Sequence, residues 1–589
     1  MSSVMYGPVG RANLPGSFFE FAGANQDKDL LFAKKGGSWE PMTYGETAEQ
    51  VSKLAAMLIG LGVKAGDKVF ITAENRPEWA VADLAIMAIG AVVVPAFVTN
   101  TEDDFYYIMS HSDAVVGITS GGGLADTVAR AAEGCADLKT LIVMDGDTKK
   151  RASKKLDVLD WSAEMAKTAP LADIDERVAG LDSEDVCCFI YTSGTGGRPK
   201  GVMLTHKSIQ ANITAAIELL AEGNVADDQR FLSLLPLSHS YEHTAGMHLP
   251  FQTRSEVWYC ESADQIANNL QEVSPTLMTA VPRLYEVLHD RITRGVKAKG
   301  GLSEKLFNAA VNIGVKKMDG IRLTLGEALL NPLLDKLVRK KVKGRLGGRL
   351  QYFVSGGAAL NPEIGGFFMG LGVNILQGYG QTEASPLISA NRPHKIKIRT
   401  VGPAVSGVEV KLTDDGEIIC RGDLLMKGYW KDKAATDETI VDGWLHTGDI
   451  GEIDEQGYIT ITGRKKEIIV NSGGDNIAPS RVEGILAMEP EIEQVMIDGD
   501  KKPWIAAIVV PSPSLIEASK DAKEVEKAVA DAVERSNHRL SKLEQVRRFI
   551  IADEPFTVAN AQMTATLKVR RHVVREVYGE RIDNLYPKK

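Results

Sequence analysis

The stretch Tyr191-Thr-Ser-Gly-Thr-Gly-Gly-Arg-Pro-Lys-Gly201 decides how the chain is read. Three aliphatic hydroxyls, four glycines and two cations stand within these eleven residues. Directly before them runs Val186-Cys-Cys-Phe-Ile190, a short apolar segment of strand type. Glycines let backbone amides close around an anion, and hydroxyls and a lysine add donors. A strand feeding such a loop has the chemistry to hold polyphosphate, with Thr192, Ser193, Gly194, Thr195 and Lys200 as candidate contacts. The Gly-x4-Gly-Lys-Ser/Thr spacing of a Walker A loop is absent. Taken alone, a loop of Ser, Gly and Pro is more often a surface turn, so segments elsewhere must decide.

Outward from the loop, helical and strand patterns alternate. Residues 44–62 carry apolar positions at helical spacing, 68–72 read as a strand, 79–90 as a helix and 91–95 as a strand. The apolar runs 141–144 and 351–354 continue the series. This alternation predicts an α/β fold with a wound sheet. From about residue 465 the pattern changes. Short strands at 467–470, 495–497 and 505–510 mix with a long helix over 523–543, as in a small α+β domain. The expected organisation is a large N-terminal domain, 1–465, and a C-terminal domain, 466–589, because 589 residues are too many for one core.

Hydrophobic residues make up 44% and charged residues 25%, the proportions of a soluble globular protein. A formal net charge of -10 argues against a nucleic-acid partner. Five scattered cysteines without metal-ligand spacing fit a reduced, cytoplasmic setting. The longest apolar run, 84–98, contains Gly90 and Pro95. It falls short of the ~18–20 residues that span a bilayer and reads as a buried helix followed by a strand. Against this acidic background, residues 291–350 hold fifteen Lys/Arg and four Asp/Glu. That basic insertion is either a solvated helical face or a surface meeting anionic lipid or CoA phosphates. Residues 331–344 place Leu333, Leu334, Leu337 and Val338 among basic residues, which is compatible with an interfacial amphipathic segment.

Five further segments carry chemistry. Val354-Ser-Gly-Gly-Ala-Ala-Leu360 follows a strand, and its bare Gly356, Gly357 and Ala358 leave a flat backbone on which a purine can lie. Gln377-Gly-Tyr-Gly-Gln-Thr-Glu-Ala384 supplies an aromatic ring, a hydroxyl and a carboxylate within five residues. Asp442-Gly-Trp-Leu-His-Thr-Gly-Asp449 offers a carboxylate after a tight turn, able to accept from both hydroxyls of a ribose. Gly463-Arg-Lys-Lys-Glu-Ile-Ile-Val470 stands where the composition changes. Thr564-Ala-Thr-Leu-Lys-Val-Arg-Arg571 lies near the C-terminus. Each alone also reads as an ordinary turn or charged linker. Leu235-Pro-Leu-Ser-His-Ser-Tyr-Glu-His243 adds a histidine, His239, of the kind that is usually structural.

Together these ordered motifs resemble the acyl-adenylating superfamily, and within it the long-chain fatty acyl-CoA synthetases. The loop at 191–201 is similar to that family's phosphate-binding signature, with Gly196 where a second Thr is usual. The resemblance implies a large N-terminal domain built on wound mixed β-sheets with helices and a small, mobile α+β C-terminal domain. It implies ATP, Mg²⁺ and CoA as the cofactor and co-substrates, and a medium- or long-chain fatty acid as acceptor. It places Tyr379, with Gln377, Gly378, Gly380, Gly356, Gly357 and Ala358, beside adenine. It places Thr382 on the α-phosphate, Glu383 and Thr195 on Mg²⁺, and Asp449 and Arg464 on the ribose. Lys466 becomes the hinge, Gly473 and Gly474 line the CoA tunnel, and His239 gates the carboxylate pocket. Lys568 becomes the adenylation lysine, with Ala565 where proline is usual. The pattern Val281-Pro-Arg-Leu-Tyr-Glu286 and the basic insertion pull the substrate toward fatty acids. The basic insertion carries an expected peripheral association with anionic membrane. A ligase that loads a carrier protein, an aromatic or short-chain acid CoA ligase, and a non-catalytic binding protein remain the alternatives.

Overall fold

The computed structural model describes residues 13–146, 148, 151–192, 198–225, 229–564 and 568–587. Two eight-stranded sheets organise the large domain. The first runs, in spatial order, Gly428–Tyr429, Lys200–Thr205, Val186–Thr192, Val92–Pro95, Lys68–Thr72, Ala114–Thr119, Thr140–Val143 and Asp157–Asp160. The second runs Leu387–Ala390, Asn374–Gly380, Tyr352–Ser355, Leu277–Ala280, Arg230–Ser233, Glu256–Tyr259, Asp29–Lys35 and Ser38–Thr43. In both, central strands pair in parallel and an edge strand returns antiparallel. Parallel strands buried on both faces need continuous apolar sequence. Val92–Pro95 and Thr140–Val143 are buried at every position for that reason.

Helices cover the sheets. Helix Tyr44–Gly60 starts at a capping box in which Thr43 and Glu46 satisfy each other's backbone amides. Helix Pro77–Ala88 is buried at every position but Glu78, with proline in its first turn where no amide partner is lost. Its apolar sequence, whose last turn opens the run 84–98, lies between the sheets in the largest hydrophobic core. A smaller sheet, Glu409–Leu412, Glu417–Arg421, Trp444–Ile453, Ile440–Val441 and Ile459–Arg464, forms the end of the large domain.

The C-terminal part has its own sheet, Ile492–Asp498, Ile505–Pro511 and Val546–Ile551, and two cores. Its helix Ala522–Asn537 ends earlier than the expected 523–543. The Asn537 side chain turns out to bond both the amide and the carbonyl of Val546, which fixes the exit into the next strand. The expected strand at 467–470 shrinks to Ile469–Val470, because the amides of Glu467 and Ile468 turn back onto the Arg464 carbonyl. The basic insertion is mostly helical: helices span Pro282–Lys299, Gly301–Met318, Leu325–Leu334 and Lys340–Arg345, the last two joined through a π-helical turn, Asp335–Arg339. Among the described residues no helix is long and apolar enough to cross a membrane.

Candidate active site

A cavity of about 1520 Å³ opens where the C-terminal ends of the second sheet's parallel strands meet the small sheet and the C-terminal domain. Crevices at the carboxyl ends of parallel strands are where open α/β sheets bind ligands. The volume exceeds the roughly 300–1,000 Å³ of a single small-molecule pocket, so there is room for more than one substrate.

Strand Asn374–Gly380 delivers Tyr379 to the wall, and one 3₁₀ turn, Thr382–Ala384, follows it. The backbone here must turn sharply: a Cβ on Gly380 would fall 1.8 Å from the Pro386 carbonyl oxygen, so only glycine fits. The Tyr379 hydroxyl donates to Asp449 Oδ2 at 2.7 Å, and Arg464 Nε donates to Asp449 Oδ1 at 2.9 Å. Asp449 and Arg464 are cross-strand partners on Trp444–Ile453 and Ile459–Arg464. Sheet register thus fixes this carboxylate–guanidinium pair, and the half-buried phenol completes it.

Thr382 Oγ1 lies 3.1 Å from Ser240 Oγ. Tyr429 donates to Glu383 Oε1 at 2.8 Å, leaving Oε2 without a partner among the described residues. Tyr429 is brought there by pairing of Gly428–Tyr429 with strand Lys200–Thr205. On that strand Lys200 faces Thr192 across the hairpin and holds its ammonium 4.8 Å over the Tyr429 ring. Thr192 and Lys200 both line the cavity. Ser193, Gly194, Thr195 and Gly196 lie outside the described residues.

Gly356 and Gly357 line the cavity, and Gly357 takes φ +82, a conformation that side chains rarely adopt. The Tyr241 ring packs against Gly356 and its hydroxyl donates to the Val354 carbonyl at 2.7 Å. Lys568 reaches the cavity from the C-terminal domain, beside Arg464, Lys466, Glu467 and Glu383. Lys568 is open to cavity solvent but walled by protein. That enclosure, with the Arg464 charge, lowers its pKa, while Asp449, Glu467 and Glu383 favour the ammonium. His239 faces the same space and accepts from the Tyr241 amide through Nδ1 at 3.1 Å. Burial, then the Lys568 charge, depresses its pKa to about 4, so it is neutral at pH 7.

Behind this wall the π-helix Glu242–His248 carries two buried polar clusters. Glu242 accepts from Ser233 at 2.6 Å and Thr279 at 2.5 Å, and burial raises its pKa to about 7. His243 and His248 place Nε2 at 2.8 and 3.1 Å from the Asp83 carboxylate. Burial opposes that charge, but the two histidines hold the Asp83 carboxyl below the usual range.

Several expected site residues stand apart from the cavity lining. Asp449 is buried behind it, reached through Tyr379 and Arg464. The Gln377 side chain donates to the Ile398 and Thr400 carbonyls, inside the fold. Ala358 is exposed beside Gly357. Gly473 and Gly474 are exposed in the turn of the hairpin Ile469–Val470 and Asn476–Ile477. Residues that the sequence reading missed include Ser240, Tyr241 and Tyr429. It also missed the apolar lining of Ala216, Leu219, Leu220, Phe231, Leu277 and Leu376. The strand-borne ones, Phe231, Leu277 and Leu376, sit earlier on the parallel strands whose C-terminal ends carry the polar groups. Tyr429 had one sequence signal, the run Gly428-Tyr-Trp430, but nothing local ties it to Glu383.

Comparison with known proteins assigns the group. The AMP-binding enzyme family matches residues 18–430, and the AMP-binding enzyme C-terminal domain matches residues 466–589. The chain belongs to the AMP-binding enzyme family. It is 34% identical over 576 residues to the long-chain-fatty-acid–CoA ligase FadD15 of Mycobacterium bovis, covering 94% of this chain and 93% of that protein. It is 31% identical over 594 residues to the peroxisomal long chain acyl-CoA synthetase 6 of Arabidopsis thaliana, covering 93% and 82%. Among solved structures it shares its fold with the anthranilate CoA ligase AuaEII in complex with anthranoyl-AMP, at a TM-score of 0.72, 20% identity and coverage of 97% and 98%. The adenylation domain of a Mycobacterium chelonae carboxylate reductase aligns at a TM-score of 0.76, 19% identity and coverage of 97% and 91%.

Proposed function

We propose that the chain ligates a medium- or long-chain fatty acid to CoA through an acyl-adenylate. One observation carries this reading: a single 1520 Å³ cavity joins Tyr379, Arg464, Thr382, Glu383 and Lys568 to an apolar stretch of Ala216, Leu219, Leu220, Phe231, Leu277 and Leu376, with Asp449 held behind its wall by Tyr379 and Arg464. Nucleotide and acyl chain then share one space, with their reacting groups between them. The long-chain ligases among its relatives support the acyl class.

In the first half-reaction a carboxylate oxygen attacks the α-phosphorus of ATP, the bond to the β-phosphate oxygen breaks, and pyrophosphate leaves. Asp449 and Arg464 would anchor the ribose, and Tyr379 would lie against adenine. Thr382 would donate to the α-phosphate. Lys568 would stabilise the charge that develops between carboxylate and phosphate, the largest contribution such a preorganised cation makes. Neutral His239 beside that lysine would let a carboxylate approach without a competing proton. Glu383 offers an unpaired carboxylate oxygen, a hard ligand of the kind Mg²⁺ takes, and Mg²⁺ bound there would neutralise phosphate charge.

In the second half-reaction the CoA thiolate attacks the acyl carbon, the bond to AMP breaks, and the thiol proton passes to solvent. Here Lys568 sits inside the cavity while Gly473 and Gly474 are outside it, the arrangement suited to adenylation. Rotation of the C-terminal domain about Lys466 would exchange them. Product analysis tests the reading: free CoA should yield fatty acyl thioester and AMP. Transfer only to a carrier protein would replace it with the carrier-loading alternative.

A further inference from the structure

Helix Leu325–Leu334 and its continuation to residue 345 have two apolar faces. The inner one is ordinary: Leu334, Val338, Val342 and Leu346 are buried in a core with Phe307 and Ala310. The outer one is not. Leu325 is 87% exposed, Leu329 82%, Leu333 49% and Leu337 37%, and Ile321 just before them is 53% exposed. Spacing by four residues puts these leucines in one stripe along the helix. Leu325 and Leu329 are the two most exposed large hydrophobic residues among those described. A surface helix gains nothing in water from such a stripe, and contiguous exposed apolar surface marks an interaction site.

Charge selects the partner. The stripe's C-terminal half lies among exposed Lys336, Lys340, Lys341, Lys343 and Arg345, none of which has an ion-pair partner among the described residues. The acidic groups of this helix are already neutralised: Glu327 pairs with Lys316 at 2.6 Å, and Asp335 pairs with Arg339. Arg339 itself is not part of the surface. It is buried, donating to the carbonyls of Gly370 and Ala310 at 2.7 Å each, and clamps the helix to the domain. What remains outward is apolar at one end and uncompensated positive charge at the other, in a chain whose net charge is -10. A second copy of this acidic protein would offer the stripe no uniform apolar plane. An anionic lipid surface offers both an apolar interior and negative headgroups.

We propose that the helical run 325–345 is a membrane-docking element. Leu325, Leu329 and Leu333 enter the headgroup boundary of an anionic bilayer, and Lys336, Lys340 and Lys341 contact its phosphates. The surface argument is independent of the ligase reading. Only the further consequence, that docking brings the enzyme to membrane-dissolved fatty acid, rests on that reading.

Vesicle flotation without any substrate tests docking, so its outcome and that of the ligase assay fail separately. The probes are phosphatidylcholine vesicles with and without phosphatidylglycerol, at low and high salt. The full chain should float with phosphatidylglycerol vesicles at low salt and much less at high salt, because screening weakens surface attraction. L325Q/L329Q should lower the bound fraction about tenfold or more on the apolar side of the interaction. K340Q/K341Q should weaken binding and flatten its salt dependence. Both pairs are solvent-exposed, so thermal stability and turnover of a water-soluble short acid should match the parent chain. No flotation with anionic vesicles at low salt would overturn the proposal, as would flotation that neither variant reduces. Leucine-dependent dimerisation without flotation would likewise overturn it and assign the stripe to a second copy.

Discussion

Replacing Glu242 with Gln should make the stability of the protein less sensitive to alkaline pH. Glu242 is fully buried beneath the cavity wall, its oxygens held by Ser233 and Thr279. Burial raises its folded-state pKa to about 7 from a reference of 4.5. A carboxyl with a raised folded pKa is more easily protonated in the folded chain than in the unfolded one. Its contribution to stability is therefore complete below the unfolded pKa and is lost as pH rises through about 7. With 1.36 kcal/mol per pKa unit, the loss integrated from about pH 5.5 to about pH 8 is about 2 kcal/mol. Gln is isosteric with the protonated acid, can still accept from Ser233 and donate to Thr279, and does not titrate. The variant should trail or match the parent near pH 5.5 and gain on it toward pH 8, by a few degrees at most in apparent Tm for a chain of this size. Thermal scans of both proteins at one scan rate, across that range, measure the gap. The histidines cancel in the comparison, since both proteins carry His206 and His239 with pKa values near 4. A variant-minus-parent difference in Tm that stays constant, or falls as pH rises, would refute the assignment of Glu242 as a buried, high-pKa carboxyl.

Two predictions concern the site itself. Lys568→Ala should slow acyl-adenylate formation by about 10²–10³ while leaving thioester formation from supplied acyl-adenylate far less affected, because the lost charge acts on the phosphate; equal loss in single-turnover measurements of both half-reactions would remove that role. Tyr379→Phe keeps the ring but deletes the hydrogen bond to the Asp449 carboxylate, and bonds to charged groups are worth about 1.5–3 kcal/mol. The apparent KM for ATP should rise about tenfold with the fatty-acid KM little changed, and the reverse pattern would detach Tyr379 and Asp449 from the nucleotide.

The architecture was legible where physics is local. Alternating helix and strand patterns announced the wound sheets, and buried parallel strands such as Val92–Pro95 are apolar because both faces are covered. The ordered motifs carried the family, because glycine, hydroxyl and carboxylate must fall at short spacing to surround one nucleotide. What stayed hidden was whatever long-range packing creates. Tyr429 meets Glu383 across 46 residues and Ser240 meets Thr382 across 142, so no window of sequence contains either pair. The apolar lining is spread over helix His206–Glu222 and three strands, each of which reads as ordinary core. Gln377 sits in a motif of nucleotide type, yet its amide is taken by the Ile398 and Thr400 carbonyls, a detail set by the loop packed beside it. Composition marked residues 291–350 as basic, but only the fold separates the clamp, Arg339, from the exposed Lys340 and Lys341.

The central claim is the acid that fills the apolar part of the cavity and the acceptor that takes its acyl group. A panel of carboxylic acids, from acetate through long-chain fatty acids with benzoate included, should be assayed for AMP release with and without CoA. The account predicts that kcat/KM is highest for a medium- or long-chain fatty acid, and that sustained AMP release requires CoA and yields the matching thioester. Acetate or benzoate turning over far faster than every fatty acid, or AMP release independent of CoA, would contradict it.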